Sequence, residues 1–404
     1  MNFSAPFKSL RRNGVRPSPA TQNGGHASRP SVEAMVERPP SVRATSAKVE
    51  ALASAGERLA APDISVVVLN YNGAAWLDRC LTSLAAQTIA AKIEVLVADN
   101  ASTDRSDLLA ADLLADQPNG RVLHYEHNVG YCAGNNEAAR QARGQYLLFL
   151  NTDTWLEPDC LERLLTEVGL ADAVAATPLV MDYRDDTLQS SGERGFDVFG
   201  LPCGPGRWSG RQEVLIANGP ALFVAADWFR RLGGFDGQFF MYADEYDLCW
   251  RVWAAGGRVI LAPSARLHHR GAVAVNPQGG PTMLENRTSD TKRYYANRND
   301  LLVLLKNCQH LLLLLVPLQL ALLAVEALAM SVVVRRWSHL RRAYWEAVWD
   351  CWRLRGHILA ERQRVRQFRQ RGDFWMLRFL QPRLNRWREL RRFHRFGVPK
   401  VDSK

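Results

Sequence analysis

Along the middle of the chain, apolar residues come in short runs that stop abruptly at polar ones. Ile64–Leu69 is a β-branched run, short enough for a strand buried on both faces, and it stops at Asn70-Tyr71-Asn72-Gly73. Leu77, Cys80, Leu81 and Leu84 follow at helical spacing. A second run, Ile93–Ala98, stops at Asp99-Asn100 ahead of a helix expected over 105–116. The third, Arg121–Tyr125, gives way to Asn128-Val129-Gly130 and a helix over 133–142. The fourth, Tyr146–Leu150, stops at Asn151-Thr152-Asp153. Strand and helix alternating through short connections predict a mainly parallel α/β sheet. Function in such sheets collects at the carboxyl ends of the strands, and all four ends here are polar.

From 175 to 275 the pattern is less regular. It holds a Gly/Pro-rich stretch at 200–210, an apolar segment Ala221–Ala225, a helix expected over 245–255, and a strand Arg258–Leu261 leading to His268 and His269. Beyond 300 the texture changes again. Leu311–Val334 is 24 residues interrupted only by Pro317, Gln319, Glu326 and Ser331. That length suffices to cross a bilayer, although an acid in hydrocarbon is costly. Arg335, Arg336, Arg341 and Arg342 follow, as a cytoplasmic flank would. The expected organisation is a leader over 1–62, a catalytic domain over 63–300, an apolar membrane-associated helix over 301–334, and a Trp/Arg-rich amphipathic tail over 335–404.

Composition sharpens this division. With 47% hydrophobic and 23% charged residues, the chain is neither wholly disordered nor fibrous. The net charge of +10 is unevenly spread. Residues 1–62 carry nine Lys/Arg against four Asp/Glu, residues 335–404 twenty against six, and the body between them twenty-two against thirty-one. The leader is rich in Pro, Ser, Ala, Gly and Arg and is expected to be mostly disordered, with a short helix near 45–60. Its early basic residues precede no apolar run, so no secretory signal is expected. Seven scattered cysteines without a CxxC pair fit a reducing compartment. Trp345, Trp349 and Trp352 share one helical face flanked by arginines, which suits a membrane interface rich in anionic lipid. The alternative is an amphipathic helix packed on the protein. Nucleic acid is not an expected partner, because no reading motif accompanies the charge.

Several polar groups are chemical candidates, each with a plainer alternative. The oxygens of Asn151 and Asp153 suit a hard divalent cation, or simply an Asx turn. Asp99 can accept hydrogen bonds from a base or ribose, or belong to the turn ahead of a helix. Asp244-Glu245-Tyr246-Asp247 crowds three carboxylates among Phe239, Phe240, Met241, Tyr242 and Leu248. Such crowding raises carboxylate pKa values as general-base chemistry requires, though acids also suit a first helical turn. His268 and His269 at a strand end suit metal or phosphate contact, or a structural hydrogen bond.

The order of these segments resembles the family-2 glycosyltransferases. VVVLNYNGAAWLDRCLTSL, VLVADNASTD, NVGYCAGNNEA, YLLFLNTDT and GGFDGQFFMYADEYDLCWR follow one another over about 64–300, most like the rhamnosyltransferase-type enzymes of bacterial surface polysaccharides. The resemblance implies a GT-A fold, a nucleotide-diphosphate sugar donor and a divalent metal, Mg2+ or Mn2+. It puts Asn70 and Tyr71 at the nucleotide pocket, Asp99 at the base, and Asn128, Gly130 and Gly134 along the donor, with the glycines admitting it closely. Asn151 and Asp153 stand at the DxD position, with Asn replacing the first Asp, and His268 matches the histidine near metal and diphosphate. His269 matches no family position. Glu245 takes the catalytic-base position in an inverted acid pair with Asp244 as fallback. Gly219 and Asp247 fall on the acceptor side, with orienting its helix as the alternative for Asp247, and Tyr294/Tyr295 through Arg298-Asn299 resembles a Y-x-x-RN segment.

The function this implies is inverting sugar transfer to a lipid-linked or polysaccharide acceptor, at the cytoplasmic face of a membrane contacted through residues 311–404. Two other classes remain. A sugar-nucleotide nucleotidyltransferase needs a glycine- and lysine-rich triphosphate loop after the first strand, which NYNGAAWLDR lacks. A catalytically idle membrane scaffold does not require Asp153, Glu245 and His268, all of which are present.

Overall fold

In the computed structural model, which describes residues 42–45, 62–204, 210–271, 287–386 and 400–402, the apolar runs become the heart of a large sheet. After an edge strand β1 (Val42–Thr45) come β2 (Ile64–Asn70), β3 (Ile93–Asp99), β4 (Gly120–Tyr125) and β5 (Tyr146–Asn151). All seven residues of β3 and all but Leu69 of β2 are buried, because helices cover both faces of the sheet. The connecting helices are α1 (Ala74–Ala85), α2 (Ser106–Leu114) and α3 (Gly130–Gln141). Leu77, Cys80, Leu81 and Leu84 form the inward stripe of α1.

The second half adds β6 (Thr154–Leu156), α4 (Cys160–Ala171), β7 (Ala175–Asp182), the short β8 (Leu188–Ser190), β9 (Gly195–Phe196), β10 (Pro202–Cys203) and β11 (Gln212–Glu213), then β12 (Ala221–Ala225), α5 (Ala226–Leu232), α6 (Asp244–Ala254) and β13 (Val259–His269). The sheet runs β1-β4-β3-β2-β5-β12-β7-β13-β11, with β6 beside β13 and β8 beside β7. The strands β4, β3, β2 and β5 are parallel. β12 lies antiparallel between β5 and β7, so the sheet is mixed. Its sense is set where it enters: the Asn151 amide at the end of β5 donates to the Pro220 carbonyl, one residue before β12 begins. The strand expected over 258–261 is much longer and carries an irregularity between Ala262 and Arg266.

The expected boundary at 300 falls inside one continuous helix, α7 (Asp290–Asn307). Ser289 caps it by accepting from the Lys292 amide at 3.1 Å, and Tyr294, Asn297, Arg298, Asn299 and Leu302 are buried, which ties it to the body. The apolar helix α8 starts only at Leu315 and ends at Val333. With the turn before it, Leu312–Val333 has a mean hydropathy of 2.3 and is only 22% buried. Its protein-facing stripe includes Leu312, Leu315, Gln319 and Leu323, and Glu326 pairs with Arg386 at 2.6 Å. The acid inside the apolar run is thus neutralised locally.

Beyond it, α9 (Trp337–Leu340), a π-helical turn (Arg341–Glu346), α10 (Ala347–Arg353), α11 (Arg355–Phe368) and α12 (Asp373–Met376) fold back rather than forming one amphipathic tail. Their arginines donate to backbone carbonyls of the body: Arg362 to Cys308 at 2.8 Å, Arg369 to Asn307 at 2.5 Å, Arg371 to Gly257 at 2.7 Å. Trp345, Trp349 and Trp352 remain outside, 70%, 52% and 62% exposed. All the described residues belong to one unit, Arg38–Lys404. The expectations for 1–41, for the helix near 45–60 and for 387–399 fall outside the described residues, apart from β1.

Candidate active site

The strand ends meet in register. Asn70 lies opposite Asp99, and Leu69 opposite Asn151. The fully buried Asn70 faces inward, its amide donating to the Asp99 carboxylate at 2.9 Å and to the hydroxyls of Ser102 and Ser106 at 3.1 and 2.7 Å. Asp99 also accepts from the Ser102 amide at 3.1 Å. The residue expected at the nucleotide pocket therefore braces the two loops, while Tyr71, 53% exposed, stands at the lip. Asn128 is clamped as well, accepting from the Asn100 amide at 3.0 Å and the Gly130 backbone N–H at 2.9 Å. The buried Asn100 was not picked out by the sequence reading.

Gly130 and Gly134, expected along the donor, are both closely packed within the protein. Gly130 sits at φ +84°, and a Cβ there would lie 2.4 Å from the Phe240 ring. A Cβ on Gly134 would meet Leu69 at 2.6 Å, so that glycine lets α3 close onto the sheet.

Asp153 is buried between β5 and β6 and accepts from the Gly271 amide at 3.1 Å. Its histidine neighbour is His269, Nε2 to Oδ2 at 3.4 Å, not the expected His268. Adjacent strand residues point to opposite faces, and His268 turns away to stack on Trp155 at 3.7 Å and to sit 3.5 Å from Glu157. There its ring nitrogen, with carboxylate oxygens of Glu157 and Asp186, makes a group whose atoms lie within 4.8 Å of one another. Burial pushes the Asp153 carboxyl up, but His269 and the backbone amides outweigh it and hold it below the ordinary value. His269 Nδ1 is 2.7 Å from the Gln189 side-chain oxygen, which can only accept, so Nδ1 carries a proton. In the neutral ring, Nε2 then presents a lone pair to a carboxylate. His269 Nε2 and an Asp153 oxygen lie 3.4 Å apart, and imidazole and carboxylate are both divalent-metal ligands, so the pair fits such an ion with Gln189 as the outer partner.

The carboxylate cluster opens α6. Burial raises both Asp244 and Glu245, Asp244 further because Glu245 is beside it, and the hydrogen bond between them favours the ionised form of Glu245. Both carboxyls are therefore held above their ordinary values by burial, Asp244 also by the charge of Glu245. Glu245 reaches over the Gly219-Pro220 turn: a Cβ on Gly219 would be 3.2 Å from its Oε1. That turn also borders the Asn151 end of β5. The acid pair and the Asn151-x-Asp153 turn therefore meet at one end of the sheet.

Asp247 does not face this mouth, contrary to its acceptor-side expectation. One turn along α6 but fully buried, it lies between Arg251 at 2.7 Å, Lys306 at 3.0 Å and Asn307 at 2.8 Å. Lys306 also bonds Asp236 at 2.5 Å, and His357 of α11 meets Asp236 at 2.8 Å. Two acids against Lys306 and Arg251 balance charge in the interior and fix α6 to α7, in keeping with the helix-orienting alternative.

The loop before α6 is strained. Phe240, Tyr242 and Ala243 all have positive φ, at 62°, 68° and 57°, each costing roughly 1–2 kcal/mol for a residue with a side chain. Asn299 holds it: its amide nitrogen lies 2.8–2.9 Å from the carbonyls of Phe239, Met241 and Tyr242. Arg298 donates to Gln238 and Phe239, and Tyr295 stacks on Phe240 at 5.3 Å. Asn299→Ala takes the side-chain donor from the Met241 and Tyr242 carbonyls, while Phe239 keeps Arg298, and is expected to cost about 1–3 kcal/mol. Calorimetry should show a Tm lower by several degrees, at roughly 2–4 °C per kcal/mol. An unchanged Tm would count against the clamp.

Residues 65–230 match the sequence profile described as Glycosyl transferase family 2. The chain is 30% identical over 225 residues to the O-antigen biosynthesis protein RfbC of Myxococcus xanthus, covering 52% of this chain and 18% of that protein. It is 28% identical over 237 residues to the N-acetylglucosaminyl-diphospho-decaprenol L-rhamnosyltransferase of Mycobacterium tuberculosis, covering 51% and 76%. Among solved structures it resembles GalNAc-T7 with UDP, GalNAc and Mn2+, at 16% identity and a TM-score of 0.50, over 61% of this chain and 48% of that one. The chain spans less than a fifth of RfbC and about half of GalNAc-T7.

Proposed function

We propose that this chain, whose residues 65–230 carry a family-2 glycosyltransferase domain on a GT-A fold, moves a sugar from a nucleotide-diphosphate donor to a hydroxyl of a lipid-linked or polysaccharide acceptor. The observation that carries this reading is the acid pair Asp244 and Glu245 at the start of α6, with Glu245 held over the turn that borders the Asn151-x-Asp153 end of β5. The strand-end loops braced by Asn70 and Asn100 receive the nucleotide, with Tyr71 at the rim. Asp153 and His269 would hold a divalent cation, Mg2+ or Mn2+, with Asn151 alongside. Bound there, the ion offsets charge on the departing diphosphate.

Glu245 accepts the proton of the acceptor hydroxyl as its oxygen attacks the anomeric carbon from the face opposite the diphosphate. The carbon–oxygen bond to the diphosphate breaks as the new one forms, and a single displacement inverts the anomeric centre. A rhamnosyl donor is supported by likeness to the mycobacterial rhamnosyltransferase. Contact with the membrane, at its cytoplasmic face, is supported by α8 and by the exposed tryptophans beside the arginines of 335–355.

A thermal-shift panel of nucleotide sugars with Mg2+ or Mn2+, followed by transfer assays, tests the reading. Failure of every donor to bind or react would overturn it. Because only ionised Glu245 can take a proton, activity must rise with pH through a midpoint above the ordinary glutamate value of about 4.3. Asp244→Ala removes the hydrogen bond that favours ionised Glu245 and should move this limb higher, whereas Asp244→Asn keeps a donor and should leave it nearly in place. A kcat profile flat down to the ordinary carboxylate range would contradict the assignment.

A further inference from the structure

Both ends of the apolar helix α8 stay beside the two ends of α7. Before α8 starts, Asp373 accepts from the backbone N–H groups of Gln309, His310 and Leu312 at 2.8–2.9 Å, and Arg369 donates to the Asn307 carbonyl at the end of α7. After it ends, Arg336 and His339 meet Asp290, the first residue of α7, at 3.4 and 2.7 Å. The helix α8 therefore runs back along α7, antiparallel to it. The two are nearly equal in length, 19 and 18 residues, or about 28 Å at a rise of about 1.5 Å per residue.

This pairing decides how α8 can meet a bilayer. A crossing helix has its ends on opposite sides of about 30 Å of hydrocarbon. Because α7 runs alongside over the same length, it would have to cross as well. Yet α7 buries Arg298, Asn299, Lys306 and Asn307 against the body, bonded to Phe239, Tyr242, Asp236 and Asp247. Crossing would draw the α/β domain and its charges into hydrocarbon, where charge is costly. Interfacial side chains lead to the same place. In a crossing helix, tryptophans and basic residues mark the two ends. Here the exposed Trp345 shares a cleft with Leu320, Ala324 and Ala327, halfway along α8, and Arg341 and Arg342 stand in the same π-helical turn as Trp345. Residues 335–355 hold six arginines against two acids, Glu346 and Asp350, so the segment beside α8 is positive. Leu318, Val325 and Val332, one heptad apart, are 46%, 63% and 68% exposed, so one face of α8 is bare from end to end.

We infer that α8 does not span: it lies flat in one leaflet of a bilayer that contains anionic lipid, with both its ends and the whole α/β domain on the same side. The arginines that follow it then meet headgroups along the helix and do not mark the far end of a crossing. This rests on the membrane contact proposed above, is independent of sugar transfer, and adds the topology of that contact.

The test uses the full chain reconstituted from detergent into vesicles of phosphatidylcholine and phosphatidylglycerol. All seven native cysteines are buried, so nitroxide labels go selectively onto Leu318→Cys, Val325→Cys and Val332→Cys, and melting curves matching the unsubstituted chain show that these variants fold. The depth of each label is read from its collisions with oxygen, which partitions into hydrocarbon, and with a water-soluble nickel complex. A flat helix puts all three at nearly one depth, within the ~15 Å of a single leaflet. A span instead separates successive labels by about 10 Å and carries one past the bilayer centre. That gradient would overturn the flat placement and leave membrane contact standing. A chain that fails to float with the vesicles would overturn both. Labels shielded from oxygen and nickel alike would mean that a second copy covers α8, which also overturns the placement. Equal flotation with phosphatidylcholine alone would remove anionic lipid from the assignment. A flat helix in a chain that transfers no sugar would count against the proposed reaction only.

Discussion

Glu245→Gln is expected to abolish transfer while leaving the donor bound. Gln keeps the size and one oxygen of the side chain but cannot accept the hydroxyl proton, so the loss falls on kcat, on the order of 10²–10⁴-fold. The nucleotide sugar, held at the strand ends and by Asp153, should give an undiminished thermal shift. The substitution also carries a stability signature. Burial raises the Glu245 pKa in the folded protein. Its contribution to stability is therefore full below the unfolded value and declines as pH rises through the folded one. The Gln variant lacks that decline and should gain Tm relative to wild type as pH increases. Wild-type turnover in Glu245→Gln would remove it from the mechanism; lost turnover with a parallel Tm–pH profile would argue that the carboxyl is not desolvated.

The second large effect concerns the metal. Asp153→Ala takes away the carboxylate beside His269 and should reduce transfer on the order of 10²–10³-fold, comparable to losing a main electrostatic contact in other active sites. Metal titrations should show it, as a raised apparent Kd for Mn2+. His269→Ala should shift the same titration in the same direction. His268→Ala should not, because its ring lies on the opposite face against Trp155. It should instead lower Tm, since a buried stacked ring is lost. If His268→Ala changes the Mn2+ titration and His269→Ala does not, the strand has been assigned to the wrong face.

That contrast marks where the sequence stopped being readable. The four runs that became β2 to β5 were legible because a strand buried on both faces needs a nearly unbroken apolar stretch. The acid pair was legible as a candidate because three carboxylates crowd beside Phe239, Phe240 and Tyr242, although they also form the first turn of α6. Choosing between His268 and His269 needs the phase of β13, and the irregularity between Ala262 and Arg266 shifts that phase relative to β7. The inward turn of Asn70 depends on hydroxyls 32 and 36 residues away. Asp247 resembled an acceptor-side acid until its partners, Lys306 and Asn307, were located on α7. The clamp by Asn299 spans 57 to 60 residues, and no local pattern encodes it.

The helix α7 changes what counts as the enzyme. The family profile ends at residue 230, before the acid pair, before His269 and before Asn299. The matched region thus holds Asp99 and Asp153, while Glu245 and His269, which the proposed function also needs, come later in the chain. Glu245 follows a loop fastened by Arg298 and Asn299 of α7, and the same helix is bound through Asn297 and Tyr294 to the segment 341–353. Under the proposed function, a chain ending at residue 230 would lack Glu245 and its clamp, and is expected to bind nucleotide sugar without turning it over.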